Sequence, residues 1–216
     1  MYYKSHIFIF EVDFMKYLTV GTREIKRQLF KEIEDVDGSI KPRGGLWLTE
    51  YNELHRNYND WVDFLIYNPV VFFYKSRNYN MWAQPCSLVT LKEDANIFYL
   101  QSKENLDYLI RNYPRQNSFS YQDICHIYDG IFVDMFKLIR EIDDYQLCRQ
   151  ICKFDVNTLV LFNLDCIDYY QPGIVMIKPF DYEYGDCEEL YYEINIESKK
   201  YQIDDVNVKK KILTNS

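Results

Sequence analysis

Glycine is scarce in this chain: seven occur among 216 residues, with only six prolines. That scarcity excludes collagen-like repeats and multi-loop phosphate cradles, and neither the Walker A spacing nor GxGxxG is present. The three histidines, His6, His55 and His126, stand far apart, so HExxH zinc chemistry and a locally spaced triad are both absent. Six cysteines occur without a CxxC pair; the nearest two, Cys148 and Cys152, are four apart. No metal site is therefore expected, and free thiols in a reducing cytoplasm are. No run approaches the roughly 18 to 20 apolar residues of a membrane helix, so no membrane association is expected. The apolar stretch from His6 to Phe10 is too short for a secretory leader and is followed by Glu11 and Asp13. A net charge of -8 argues against broad duplex binding, which needs several phosphate-neutralising lysines or arginines.

What is present is a globular composition, 48% hydrophobic and 27% charged, with an aromatic share of 18% carried by 21 tyrosines and 14 phenylalanines. The length suits one core. Residues 1–170 read as the main domain, and 171–216 as a β-containing extension with a basic tail (Lys209-Lys210-Lys211) packed on it.

The pattern along the chain is mixed. Residues 6–12 and 15–20 read as strands. Thr22 is placed to cap a helix whose stripe is Ile25, Leu29, Phe30 and Ile33. The glycines and proline of residues 36–45 make a loop, and Leu46–Thr49 a strand. A helix over 50–67 is predicted from Leu54, Tyr58, Trp61 and Leu65, all assigned to the core. Residues 70–74, 87–91 and 96–100 read as strands. Ser102 starts a helix that ends near Pro114, and Ser120 with Asp123 starts another. A turn and strand follow at 128–133, a long helix from Met135 to Cys152, and strands at 158–162, 174–177 and 190–196. Asp143-Asp144 reads as a solvated charge pair. Helices and strands in this order give an α+β protein and no regular βαβ alternation.

Three segments carry the functional signal. They are Tyr17-Leu18-Thr19-Val20-Gly21-Thr22; then Lys41-Pro42-Arg43-Gly44-Gly45-Leu46-Trp47-Leu48-Thr49, whose paired glycines would let backbone approach a ligand closely; and Tyr128-Asp129-Gly130-Ile131-Phe132-Val133 with the stretch from Asp155 to Asn163. In this order they resemble ADP-ribosyltransferase-fold proteins, of the kind common in bacterial toxins and phage-borne effectors, across residues 17–167. In that family a first strand ends in a small-residue turn, and a second carries Ser or Thr beside an aromatic. A late strand pair reads like YDGI, then an acid before VVFNP. Two departures stand out. Tyr17 and Thr19 occupy the strand where many relatives have His or Arg. Thr158 stands where the catalytic Glu is usual, with Asp155 the nearest acid in the preceding turn.

The resemblance implies a split β-sheet with flanking helices, in which Thr19, Trp47, Ile131 and Val160 line one cleft. It implies NAD as the substrate, a macromolecular acceptor and no metal. Breaking the nicotinamide–ribose bond develops positive charge on the sugar, so a nearby carboxylate stabilises the transition state. Asp155, with Thr158 beside it, takes that role. The remaining roles fall to Gly21 and Thr22 with Thr19 at the nicotinamide, Thr49 at its ribose, and Tyr17 or Trp47 stacking on the ring. Lys41, Arg43, Gly44 and Gly45 meet the pyrophosphate. One alternative is a non-catalytic interaction protein of phage or immunity type that keeps the fold and binds through a tyrosine-rich surface. Another is a nucleic-acid-modifying enzyme, which would require Lys and Arg to cluster despite the acidic total.

Overall fold

In the computed structural model, which describes residues 16–53, 59–67, 83–116, 118–177 and 192–203, the β-branched and aromatic runs become strands of one eight-stranded sheet. In chain order these are β1 (Lys16–Val20), β2 (Leu46–Tyr51), β3 (Ala83–Leu91) and β4 (Ile97–Leu100), then β7 (Gly130–Val133), β8 (Thr158–Leu161), β9 (Ile167–Ile177) and β10 (Tyr192–Ile196). A small separate pair, β5 (Pro114–Arg115) and β6 (Ser118–Phe119), lies between them in the chain. The sheet order is β10-β9-β3-β1-β2-β8-β7-β4, antiparallel except for the parallel pair β4·β7 at one edge. The helices are α1 (Asp60–Tyr67), α2 (Lys103–Asn112), α3 (Tyr121–Ile124), α4 (Met135–Glu141) and α5 (Tyr145–Ile151). The fold is α+β, a large and mostly antiparallel open sheet flanked by helices.

The middle of the sheet is divided along β2. Its first half, Leu46 to Leu48, pairs with β8, whereas its second half, Thr49 to Tyr51, pairs with β1. Two cores cover the helix side. Leu18, Cys86, Leu88 and Val175 pack with Val62 of α1, and Ile131, Val133 and Val160 pack with Leu106, Leu138 and Ile151 from α2, α4 and α5. Tyr17, Leu48, Phe132, Leu159 and Tyr170 point the other way and form a third core. Directly paired residues share a face, and the face alternates along each strand. The third core brings the edge strand β4 toward the middle of the sheet, since Tyr99 on β4 packs against the core that holds Tyr17 on β1. Burial first, and Tyr99 second, push the Tyr17 phenol well above its ordinary range.

Helix starts follow the expected chemistry. The Ser102 hydroxyl accepts from the Asn105 N–H and the Ser120 hydroxyl from the Asp123 N–H. Asn59 ties α1 to β2. Its Oδ1 accepts from Val62 N–H, and its Nδ2 donates to Thr49 Oγ1 and to the Glu50 carbonyl. All three groups lie in or near the core, so Asn59→Ala should lower stability by about 1 to 2 kcal/mol. A urea midpoint equal to wild type would show that α1 does not depend on this cap.

Several expectations are corrected. Thr22 starts no helix; only a single 3-10 turn, Arg27–Leu29, forms, with Lys26 and Phe30 extended on either side. The reason is packing: Ile25 joins the core of Tyr17 and Leu48, while Ile33 joins the core of Ile131 and Val160 on the other face. A helical stripe would have turned both to one side. The predicted helix over 50–67 is described only from Asp60, since Glu50 and Tyr51 still belong to β2. Val62 and Leu65 are its buried residues, and Trp61 is half-buried with its ring stacked on Phe64 at 5.6 Å; Leu54 and Tyr58 lie outside the described residues. The long helix from Met135 breaks at Ile142, which is extended, and restarts because Asp144 caps it through the N–H groups of Gln146 and Leu147. Asp144 is thus a cap and not merely a solvated charge. β9 begins at Ile167, ahead of the expected 174, and runs through residue 170, so the C-terminal segment completes the same sheet. The strands expected at 6–12 and 70–74 lie outside the described residues. Among the described residues no helix is long and apolar enough to cross a membrane.

Candidate functional site

Three of the expected site residues, separated by up to 114 positions, meet on the helix side of β2. The Lys41 ammonium donates to Asp155 Oδ2 at 3.2 Å and to the Lys153 carbonyl at 2.9 Å, and lies 5.0 Å from the centre of the Trp47 ring. Trp47 is fixed in turn. Its Nε1 donates to the Gly44 carbonyl at 2.8 Å, and its ring packs on Phe154 at 6.0 Å. Asp155 follows the 3-10 turn Cys152–Phe154 and has φ 68° and ψ -41°, a backbone state that side chains other than glycine rarely adopt. Such strain costs about 1 to 3 kcal/mol and persists only where the surroundings hold it. About a third of the Lys41 and Asp155 side chains remains open to solvent. The contact is reciprocal, since the Lys153 ammonium reaches the Gly38 carbonyl at 3.3 Å. The glycine-rich loop and the turn before β8 are thereby clipped together.

The other expected residues are distributed differently. Trp47, Val160 and Ile131 form one direct row across β2, β8 and β7. Thr19 lies on neighbouring β1 but shares the face of Tyr17, opposite that row. Tyr17 and Thr19 are both buried, so neither offers a surface for stacking. Gly21 adopts φ 99° with open space where a side chain would stand, and its N–H is taken by the Pro85 carbonyl. Thr22 and Gly45 line a hollow of about 270 Å³ on the Tyr17 side, walled mainly by Ile25, Phe30, Leu46 and Leu164. That volume is just under the roughly 300 Å³ at which small-molecule sites begin. Arg43 is exposed and pairs through its backbone with Glu34.

The paired glycines do approach backbone closely, but it is the chain's own. A Cβ on Gly44 would stand 1.9 Å from the Glu32 carbonyl oxygen, and one on Gly45 would stand 2.7 Å from that of Leu161. The Thr49 hydroxyl is taken up by Asn59, and the Thr158 hydroxyl donates to the Val156 carbonyl at 2.8 Å. Both are buried, so the sugar contacts expected of them have no free hydroxyl to use.

Sequence reasoning missed two carboxylates. Glu24 lines the hollow and pairs with Lys26; reading Thr22 as a helix cap hid it. Glu50, opposite Tyr17 on β2, has its carboxyl held above the usual range by burial, then by the nearby charges of Asp134 and Asp60. A raised carboxyl binds protons more readily in the folded chain. Its stabilising contribution is therefore present below the ordinary Glu range and lost as pH rises through the raised one. Glu50→Gln should accordingly raise the urea midpoint more at pH 7 than at about pH 4.5. An equal effect at both pH values would remove Glu50 as a source of that dependence.

Among the described residues no group of three or more His, Cys, Asp or Glu side chains is gathered so as to hold a metal ion. No protein-family model matches the chain, no curated protein matches its sequence, and no solved structure matches its fold.

Proposed function

We propose that the chain moves ADP-ribose from NAD to a macromolecular acceptor, with Asp155 as the carboxylate beside the reacting sugar. The observation that carries this reading is the strained Asp155, paired with Lys41, whose ammonium also lies against the Trp47 ring. Its support from the fold is that the strands bearing the motifs, β1, β2, β8 and β7, are consecutive neighbours with the pairing divided along β2. In this reaction the bond between ribose C1′ and the nicotinamide nitrogen breaks, and its electron pair leaves with nicotinamide. An oxygen or nitrogen of the acceptor then bonds to C1′ and gives up its proton. Asp155 stabilises the positive sugar between those events. The half-buried Trp47 ring supplies a face for the nicotinamide, and Lys41 exchanges its Asp155 contact for a pyrophosphate oxygen. The five described cysteines are free thiols, which suits a reducing cytoplasm.

The test is nicotinamide release from NAD by purified protein, with and without cell extract, followed by the fate of labelled ADP-ribose. Turnover with label on a macromolecule supports the reading, and no turnover with any extract overturns it. A specific observation favours a second reading, a non-catalytic interaction protein. Lys41 and Lys153 make a reciprocal clip that already occupies the Asp155 carboxylate. Under that reading Asp155 matters for stability alone.

A further inference from the structure

Two thiols that the proposed chemistry does not use stand one helical turn apart, next to the strained residue. Cys148 lies on α5 and Cys152 opens the 3-10 turn that follows, with the Cys152 N–H donating to the Cys148 carbonyl. Residues four apart in that geometry share a face, with about 5 to 6 Å between their Cβ atoms. Both thiols are free; Cys152 is exposed, and Cys148 is half-buried against the core of Ile131 and Val160. Burial, and then the Cys148 thiol, push the Cys152 thiol above its ordinary range, which marks the two sulfurs as neighbours. Cys152 also leads directly into the candidate site. Its carbonyl accepts from the Asp155 N–H at 3.2 Å, the Lys153 carbonyl holds the Lys41 ammonium, and the Phe154 ring packs on Trp47. The other described thiols are placed differently: Cys86 and Cys166 are buried, and Cys125 donates to the Gln122 carbonyl.

We propose that Cys148 and Cys152 form a redox-sensitive dithiol, which a peroxide closes to a disulfide and whose closure shifts the turn that holds Asp155. The exposed Cys152 meets the oxidant first. Its thiolate attacks one oxygen of hydrogen peroxide and the O–O bond breaks. A sulfenic acid forms on Cys152, and the hydroxide released takes up the proton that the thiol had lost. The Cys148 sulfur then attacks the Cys152 sulfur. The S–S bond forms, the S–O bond breaks, and a second water leaves with the Cys148 proton. The two thiols lose two electrons in all, and the peroxide gains them. The raised Cys152 thiol keeps its thiolate scarce at neutral pH, so the pair answers sustained oxidant and is no peroxide scavenger. A disulfide needs its Cβ atoms about 3.5 to 4.5 Å apart, so closure draws Cys152 toward Cys148 by about 1 to 2 Å. Cys152 caps α5, so that pull acts on the helix end and not on its interior. The φ of 68° at Asp155 persists only while its neighbours hold it. Movement at Cys152 therefore loosens Asp155 from Lys41 and tilts Phe154 against Trp47. This inference concerns regulation of the proposed site, and it rests on that reading only for the loss of turnover. The cross-link and the Trp47 response are measured without NAD, so the two can fail separately.

The experiment treats the full chain with about 1 mM hydrogen peroxide at about pH 8, blocks the remaining thiols and digests with trypsin without reductant. Cleavage after Arg140, Arg149 and Lys153 puts Cys148 in residues 141–149 and Cys152 in residues 150–153, so a Cys148–Cys152 disulfide is what joins those two peptides. Mass spectrometry should find the joined pair in most molecules, and dithiothreitol should release it. Nicotinamide release by the oxidised protein is expected to fall about tenfold and to recover on reduction. Tryptophan emission should change with the same reversibility, and should no longer change in Trp47→Phe. Cys148→Ser and Cys152→Ser should each keep basal turnover and lose the response to peroxide. Cys152 is exposed, so its variant keeps the test valid even if Cys148→Ser folds poorly. Absence of the joined peptides overturns the proposal. Joined peptides with unchanged tryptophan emission, or an equal response in Cys152→Ser, do so as well. A reversible, Trp47-dependent response in a chain without NAD turnover upholds the switch and overturns the proposed function alone.

Discussion

Asp155→Asn is expected to cut nicotinamide release from NAD about 100-fold while moving the melting temperature by no more than about 4 °C. The activity term is the loss of one charge aimed at a developing cation, commonly worth roughly 3 kcal/mol in a water-poor site. The stability term is small for two reasons. Asn tolerates positive φ better than most residues, so the strained turn before β8 survives the change. The Lys41–Asp155 pair is also about a third exposed, and such pairs contribute at most about 1 kcal/mol, which for a chain of this size is about 2 to 4 °C. Full turnover in a folded Asp155→Asn protein would remove this residue as the carboxylate. A large fall in melting temperature would identify the cluster as a structural clip. Measuring rate and melting on the same preparation keeps those results apart.

Gly44→Ala should be the most damaging single-methyl substitution in the loop, lowering stability by about 3 kcal/mol or more. The left-handed conformation at φ 76° costs an L-residue about 1 to 2 kcal/mol by itself. The added carbon would then stand 1.9 Å from the Glu32 carbonyl oxygen and 2.8 Å from its carbon, so backbone must move. Gly38→Ala is the control. Its φ is 68°, but nothing lies within 4 Å of the new carbon, so only the conformational cost remains. Urea midpoints of the two variants should therefore differ by clearly more than either differs from duplicate measurements. Equal midpoints would mean that the loop near Glu32 yields freely. Because the Gly44 carbonyl holds Trp47 Nε1, the same substitution should alter tryptophan fluorescence.

How far the sequence reaches is set by the range of the interactions concerned. Ser102, Ser120 and the strands at Gly130–Val133 and Thr158–Leu161 were legible because caps and continuous buried strands are local signals. The stripe from Ile25 to Ile33 misled because two of its residues belong to cores on opposite faces, a tertiary fact with no local trace. The break at Ile142 left a faint trace, the acidic pair before Tyr145, which suits a cap as well as a charged face. In the candidate site the residue types were readable, but their partners were not. Nothing in spacing joins Lys41 to Asp155, and nothing warns that Asn59 and Val156 would occupy the hydroxyls of Thr49 and Thr158.

The divided strand β2 has a consequence for how the chain opens. Its link to β1 uses residues 49–51 and its link to β8 uses residues 46–48, so no stretch of β2 is laddered on both sides by these pairings. Loss of a few adjacent ladder bonds would free one half of the sheet and leave the other intact. Native-state amide exchange should then resolve two cooperative units. One holds β1, β3, β9 and β10 with α1, and the other holds β4, β7 and β8 with the later helices. The Tyr17–Leu48–Phe132–Leu159 core spans both and sets the free energy that separates their openings from global unfolding. A macromolecule gripping both halves at once would suppress each opening, and its footprint would register as slowed exchange in amides it never touches.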